Sequence, residues 1–198
     1  LFTLFALTLI LISGKQGVRS LIALAGSLFV ILYILVPTLI SGYPPVFTSI
    51  VVASAILFFA IFFTHGFNLL SLVAFVGTST AVMLTGILAL VSIELTGLTG
   101  FASDASIYLN LNTGGILNFT GLLLAGIIIG VIGVLDDIAI TQVAVVRELY
   151  EAGSKLSKWD IYTRALRVGR EHIGALVNTL VLAYTGTALP LLLLFSQS

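Results

Sequence analysis

Long apolar runs separated by short polar clusters make up almost the whole chain, and their lengths are those of helices that cross a bilayer. Such a helix needs about 20 mostly apolar residues to traverse about 30 Å of hydrocarbon. The runs predict six spans. The first, "LFTLFALTLILIS", ends near Ser13, and it lacks the basic leading region of a signal peptide. Leu1 already stands inside that run and the sole methionine is Met83, so the chain is expected to lack its natural start. The second span covers about residues 21–40, the third 46–63 and the fourth 69–95, which is long enough to need tilt or a protruding end. The fifth begins near Ile116 and the sixth runs over about 173–195. Between the second and third lies "SGYPP", whose prolines cannot continue a helix but suit the first turn of the next. No soluble domain fits between the runs, so the whole of 1–198 is expected to be one transmembrane domain.

Composition agrees with this pattern. Hydrophobic residues make up 59% of the chain and charged residues only 8%, against about a quarter in soluble domains. The fold class expected is an all-α, polytopic membrane helix bundle, with the lipid bilayer as its first partner. A net charge of zero gives no attraction to nucleic acid. The absence of cysteine excludes disulfides, thiolate metal sites and cysteine nucleophiles.

The basic residues set the orientation, because lysine and arginine favour the cytoplasmic side of short loops. Lys15 and Arg19 lie between spans one and two, and Arg147, Lys155, Lys158, Arg164, Arg167 and Arg170 lie between five and six. With six spans these two loops share one side. "SGYPP" and residues 96–115 carry no lysine or arginine, so every basic residue falls inside.

The inner segment 141–172 is the one sizeable polar region. "TQVAVVRELYEAG" reads as a helix closed by Gly153, with Arg147 and Glu151 four apart on one face. "SKWDIYTRALRVGREHI" opens with Ser157 three residues before Asp160, the pattern of a capping box with aspartate as its acid. Asp160, Arg164, Arg167 and Glu171 share one side of this helix, and Trp159, Tyr162, Leu166 and Ile173 another. The pattern suits cytoplasmic helices lying in the interface plane. Arg147, Arg170, Glu171 and His172 are candidates for an inner mouth or gate.

"GVLDDIAITQ" holds the residues that stand out most. A carboxylate in hydrocarbon costs about 2.5–3.5 kcal/mol at a helix centre, so it normally faces a bundle interior or water. The run from Ile116 to Val146 exceeds one untilted crossing, which predicts either an extension into the interface or a break near Asp136 and Asp137. A break would place free carbonyls beside Asp136, Asp137, Thr141 and Gln142, in the way transporters build cation sites. Such oxygen ligands suit sodium, magnesium or calcium rather than zinc or copper. Adjacent carboxylates can also carry protons. The competing reading is structural: the aspartates cap an inner helix and pair with Arg147 or a basic residue of the next helix. A bound cation is the only cofactor these residues suggest, and no organic cofactor motif occurs.

Asn178 in the last span needs a partner helix for its amide, or contacts a solute. The hydroxyls of "GTST" at 77–80 can bond back to their own helix. Gly126 and Gly130 form a GxxxG pair with Gly133 nearby, a motif for close helix packing or a thin ligand-lining surface. The outer "SIYLNLN" alternates and suits a short strand, a re-entrant cap or a plain loop. HExxH, GxSxG, P-loop and CxxC motifs are all missing, and a non-enzymatic role is expected.

"GVLDDIAITQVAVVRELYEA" and "VGREHIGALVNTLVLAYTGTALPLLLL" resemble the YibE/F family of bacterial membrane proteins, best over about residues 69–195. The resemblance implies a multi-pass protein of the bacterial inner (plasma) membrane with a further N-terminal region. It brings no catalytic or binding residue with it. Two functions are therefore expected side by side. One is a permease or transporter of an ion or small solute, with its polar site at Asp136–Gln142. The other is an accessory or scaffold protein whose inner helices dock a protein partner or a second copy.

Overall fold

The structure, a computed structural model, describes residues 2–101, 104–113, 115, 117–152 and 156–196. It is helical throughout, with no strand among the described residues. The chain forms two compact units, 1–140 and 141–198.

In the first unit, α1 (Phe2–Val30) runs through a π turn at Ile31–Leu35 into α2 (Val36–Ile40). The π turn has a local cause in Pro37, which lacks an N–H and whose ring crowds the carbonyl one turn back. The Val36 N–H reaches Ile31 O instead. Within α1 the chain corners at Gly14, where φ is +57° and ψ −132°. A Cβ placed on Gly17 would lie 2.6 Å from the Leu9 carbonyl oxygen, whereas residues eight apart on a straight helix are about 12 Å apart. The piece before Gly14 therefore folds back beside the start of the next. The expected loop between the first two spans is reduced to one residue with left-handed backbone.

Helix α3 (Pro45–His65) begins at the expected prolines, and α4 (Leu69–Thr96) follows the "HGFN" turn. Asn68 caps α4 by accepting from the Ser71 N–H at 2.9 Å, and Gly97 closes it in the left-handed conformation. A short helix, α5 (Asp104–Asn112), forms over "SIYLNLN", where a short strand, a re-entrant cap or a plain loop is expected. It leads to α6 (Phe119–Ala152).

Helix α3 lies at the centre of the first unit. Val52, Ala53, Ile56 and Leu57 pack with Leu35, with Val82 of α4 and with Ile128 and Ile132 of α6. Close approaches occur at small residues, with Gly26 meeting the Phe59 ring and Gly121 meeting Pro45. The GxxxG pair behaves otherwise: around Gly126, Gly130 and Gly133 a Cβ would find no heavy atom of the described residues within 4 Å. The packing expected there is not made. The hydroxyls of Thr78 and Thr80 do bond back, to Ala74 O at 2.7 Å and Val76 O at 2.8 Å.

The second unit holds the inner end of α6, then α7 (Lys158–Thr187) and α8 (Leu189–Ser196). Helix α7 is continuous, so the expected separation of an interfacial helix from a last span at Ile173 does not occur. The break falls instead at Ala188, just before Pro190. Gly153 and Lys155 lie outside the described residues, as does the expected start of the fifth span at Ile116.

Among the described residues, four helical stretches are long and apolar enough to cross a membrane: Thr3–Ile40, Pro45–His65, Leu69–Thr96 and Phe119–Ala152. The protein is an all-α membrane protein. Six spans were expected; the difference lies at the two ends, where the first two runs are joined through Gly14 and the last is split at Ala188.

Candidate functional site

Helices α1, α3 and the first part of α6 enclose a cavity of about 570 Å³ in the first unit. Its walls change character along its length. Leu28 of α1, Ile31 of the π turn, Ile56 of α3 and Ile129 and Ile132 of α6 give one end a largely hydrocarbon lining. Gln16 and Ser20, just past the Gly14 corner, meet Thr64 and His65, at the end of α3, and Asp136 and Asp137 of α6 at the other. Three helices thus bring six polar side chains together from distant parts of the sequence.

Both aspartates reach this space although neighbours on a helix point about 100° apart, because the cavity is wide. Asp136 is half-buried, and its Oδ1 is buried with no hydrogen-bond partner. Buried polar atoms are normally satisfied, so one left over on a residue that lines a cavity belongs to a carboxylate whose hydrogen-bonding capacity its described neighbours do not consume. Among the described residues, no lysine or arginine lines the cavity. The carboxylates, with the oxygens of Ser20, Thr64 and Gln16, therefore make this end a place for positive charge or for donors.

The expected helix break is absent. Helix α6 is unbroken from Phe119 to Ala152, and Asp136, Asp137, Thr141 and Gln142 all lie within it. No carbonyls are released by unwinding there, and the aspartates do not stand at a helix start where they could cap. The length that suggested a break is taken up by extension: 34 residues make a helix of about 51 Å, longer than the hydrocarbon is thick.

In the second unit, Gln142 donates its amide to Ala165 O of α7 at 2.7 Å. Gly169 permits the approach, since a Cβ there would stand 2.9 Å from the Gln142 Oε1. Ile161, Ala165 and Gly169 are the buried stripe of α7, while Trp159, Tyr162, Leu166 and Ile173 stay exposed. Arg147 pairs with Glu151 at 2.6 Å on the surface, as their spacing predicts. Ser157 and Asp160 form the predicted capping box. Thr141 and His172 are half-buried, and Arg170, Glu171 and Asn178 are exposed.

Sequence reasoning missed Gln16, Ser20 and Thr64, and His65 stands beside them at the end of α3. Each is unremarkable in its own run, and only the packing of α1 and α3 against α6 joins them to Asp136. A faint signal exists in retrospect, since all lie at the inner ends of their spans in the orientation that the basic residues set.

The profile of the YibE/F-like protein family matches residues 1–198, the full length of the chain. The chain belongs to the YibE/F-like family. The match extends beyond the 69–195 stretch that carries the resemblance best and includes α1 and α3, the helices that supply most of the cavity wall. Comparison with curated proteins and with solved structures finds no match to either.

Proposed function

We propose that this YibE/F-like protein is a permease of the bacterial cell membrane and not an enzyme, and that the cavity between α1, α3 and α6 is its solute site. The observation that carries the reading is the pairing of an open cavity of about 570 Å³ with a buried, unpartnered carboxylate oxygen on Asp136. A sealed scaffold has no use for either feature, because an unsatisfied buried acceptor costs about 1–3 kcal/mol. The polar end lies beside Lys15, which the distribution of basic residues assigns to the cytoplasm. The solute then meets the carboxylates from that side.

The test is flux in proteoliposomes for protons, sodium, divalent cations and small organic solutes, with Asp136→Asn and Asp137→Asn beside wild type. Transport by wild type, reduced at least about tenfold in Asp136→Asn while the protein stays folded, is the expected result. Equal flux in wild type and both variants places the path elsewhere.

A second reading has one observation in its favour. Trp159 and Tyr162 stack at 5.3 Å on α7 and are 70% and 54% exposed. An accessory protein would dock a partner there, and a pull-down that fails on Trp159→Ala supports it.

A further inference from the structure

The cavity specifies more than a positive charge, and its dimensions, its walls and the absence of Phe, Tyr and Trp among the described lining residues each exclude a class of cation. Its volume of about 570 Å³ is that of sites for small organic molecules, which run from about 300 to 1,000 Å³. A bare metal ion needs an oxygen cage at about 2.0–2.6 Å. Among the described residues no three His, Cys, Asp or Glu side chains group closely enough to hold a metal. Away from the carboxylates the wall is mainly aliphatic, with Leu24, Leu28, Ile31, Ile56, Ile129 and Ile132, and the Ser27 hydroxyl there is spent on Ala23 O at 2.9 Å. A hydrated inorganic ion gains nothing from that surface, whereas a hydrocarbon body is transferred out of water at about 25 cal/mol per Å².

Quaternary ammonium groups are recognised by aromatic faces. Among the described residues, no Phe, Tyr or Trp lines this cavity. A carboxylate with a spare oxygen instead rewards an N–H donor, through a charge-assisted hydrogen bond of about twice the neutral strength. Ser20, Thr64 and the Gln16 amide oxygen can accept the remaining N–H groups.

We propose that the solute of this site is a protonated primary or secondary amine carried on an apolar body, its nitrogen at Asp136 and Asp137 and its hydrocarbon among the α1, α3 and α6 aliphatics. The proposal rests on the permease reading for the use of the site, but binding can be tested apart from transport. Gly133 supplies an independent variant. It lines the cavity, and a Cβ there meets no heavy atom within 4 Å, so Gly133→Leu puts bulk into open space without displacing backbone.

The experiment is equilibrium binding of radiolabelled phenethylamine to the full chain in nanodiscs, with empty nanodiscs subtracted. Competitors are phenethyl alcohol, trimethyl(phenethyl)ammonium, sodium and calcium. Saturable binding, weakened at least about tenfold by Asp136→Asn and by Gly133→Leu and displaced poorly by every competitor, is the expected result. Displacement by the quaternary analogue as strong as by the amine itself overturns the hydrogen-bonded amine. Displacement by sodium or calcium, with Gly133→Leu harmless, overturns the organic body. Absence of saturable binding to folded wild type overturns the amine class altogether. Amine binding without amine flux leaves this inference standing and removes the permease reading; flux of inorganic ions without amine binding does the reverse.

Discussion

Asp136 and Gln142 are polar residues on the same helix, in the same apolar run, and the fold uses them in opposite ways. Gln142 spends its amide on Ala165 O, a bond that Gly169 makes room for. Asp136 lines a cavity and leaves its buried Oδ1 unspent. The contrast teaches that polarity inside a hydrophobic stretch is not itself a mark of function. The useful mark is whether the group's hydrogen-bonding capacity is consumed by the protein. A satisfied group stabilises packing, and an unsatisfied one is kept at a cost that only a ligand offsets.

Removing Asp136 should therefore produce the largest and most lopsided effect. Asp136→Leu is expected to abolish transport while raising stability by about 1–3 kcal/mol, because a buried acceptor without a partner disappears. Unfolding of the purified variant in detergent, set beside its flux, measures both. A variant that loses stability instead would show that Asp136 holds the structure together, and the contrast with Gln142 would vanish.

Gln142 is the mirror case. Gln142→Leu should cost about 0.6–1.7 kcal/mol, the range for a hydrogen bond between membrane helices, with solute uptake unchanged. Gly169→Ala should cost about as much by the same route, since its methyl meets the flexible end of Gln142 and displaces it from Ala165 O. The two losses are then one loss. A double-mutant cycle by unfolding should give a combined cost close to either single cost, whereas simple addition would mean that Gly169 and Gln142 act separately.

What could be read in advance divides along the same line, between local chemistry and what packing assembles. The prolines that open α3, the Ser157–Asp160 box and the Arg147–Glu151 pair each depend on neighbours within one turn, and all stand where spacing predicted. The length of the run predicts either extension into the interface or a break at Asp136–Gln142, length alone cannot choose between them, and α6 extends. "SIYLNLN" alternates over too few residues to outweigh helix formation, and it forms α5. Gly126 and Gly130 carry the spacing of a packing motif, yet no described neighbour comes within reach of either. The corner at Gly14 looked like a loop because glycine sits among polar residues, although one residue of positive φ is enough to turn two helices. Of the cavity, sequence exposed Asp136 and Asp137, because charge in an apolar run is visible alone. Gln16, Ser20 and Thr64 become meaningful only when α1 and α3 close on α6.

The smallest effect is expected at the start of α7, and it sharpens the comparison because it lies among groups that are fully partnered. The Ser157 Oγ–H donates to Asp160 Oδ2 at 2.6 Å and the Ser157 N–H does so at 3.2 Å, while the Asp160 N–H donates back to Ser157 Oγ. These bonds to the ionised carboxylate hold the Asp160 pKa below its ordinary value, the Ser157 hydroxyl acting most and its backbone amide next. A depressed folded-state pKa means that the contribution is present above the unfolded value and is lost as pH falls through the folded one. Amide resonances of Ser157 and Asp160 in micelles should therefore titrate below the ordinary aspartate range, and in Ser157→Ala the Asp160 midpoint should return toward it. Removing the cap should cost about 1 kcal/mol locally. Solute binding should stay unchanged, since the box consumes its own donors and acceptors as Gln142 does. A shift in amine affinity on Ser157→Ala would mean that satisfied and unsatisfied groups are not independent, and that the start of α7 acts on the cavity.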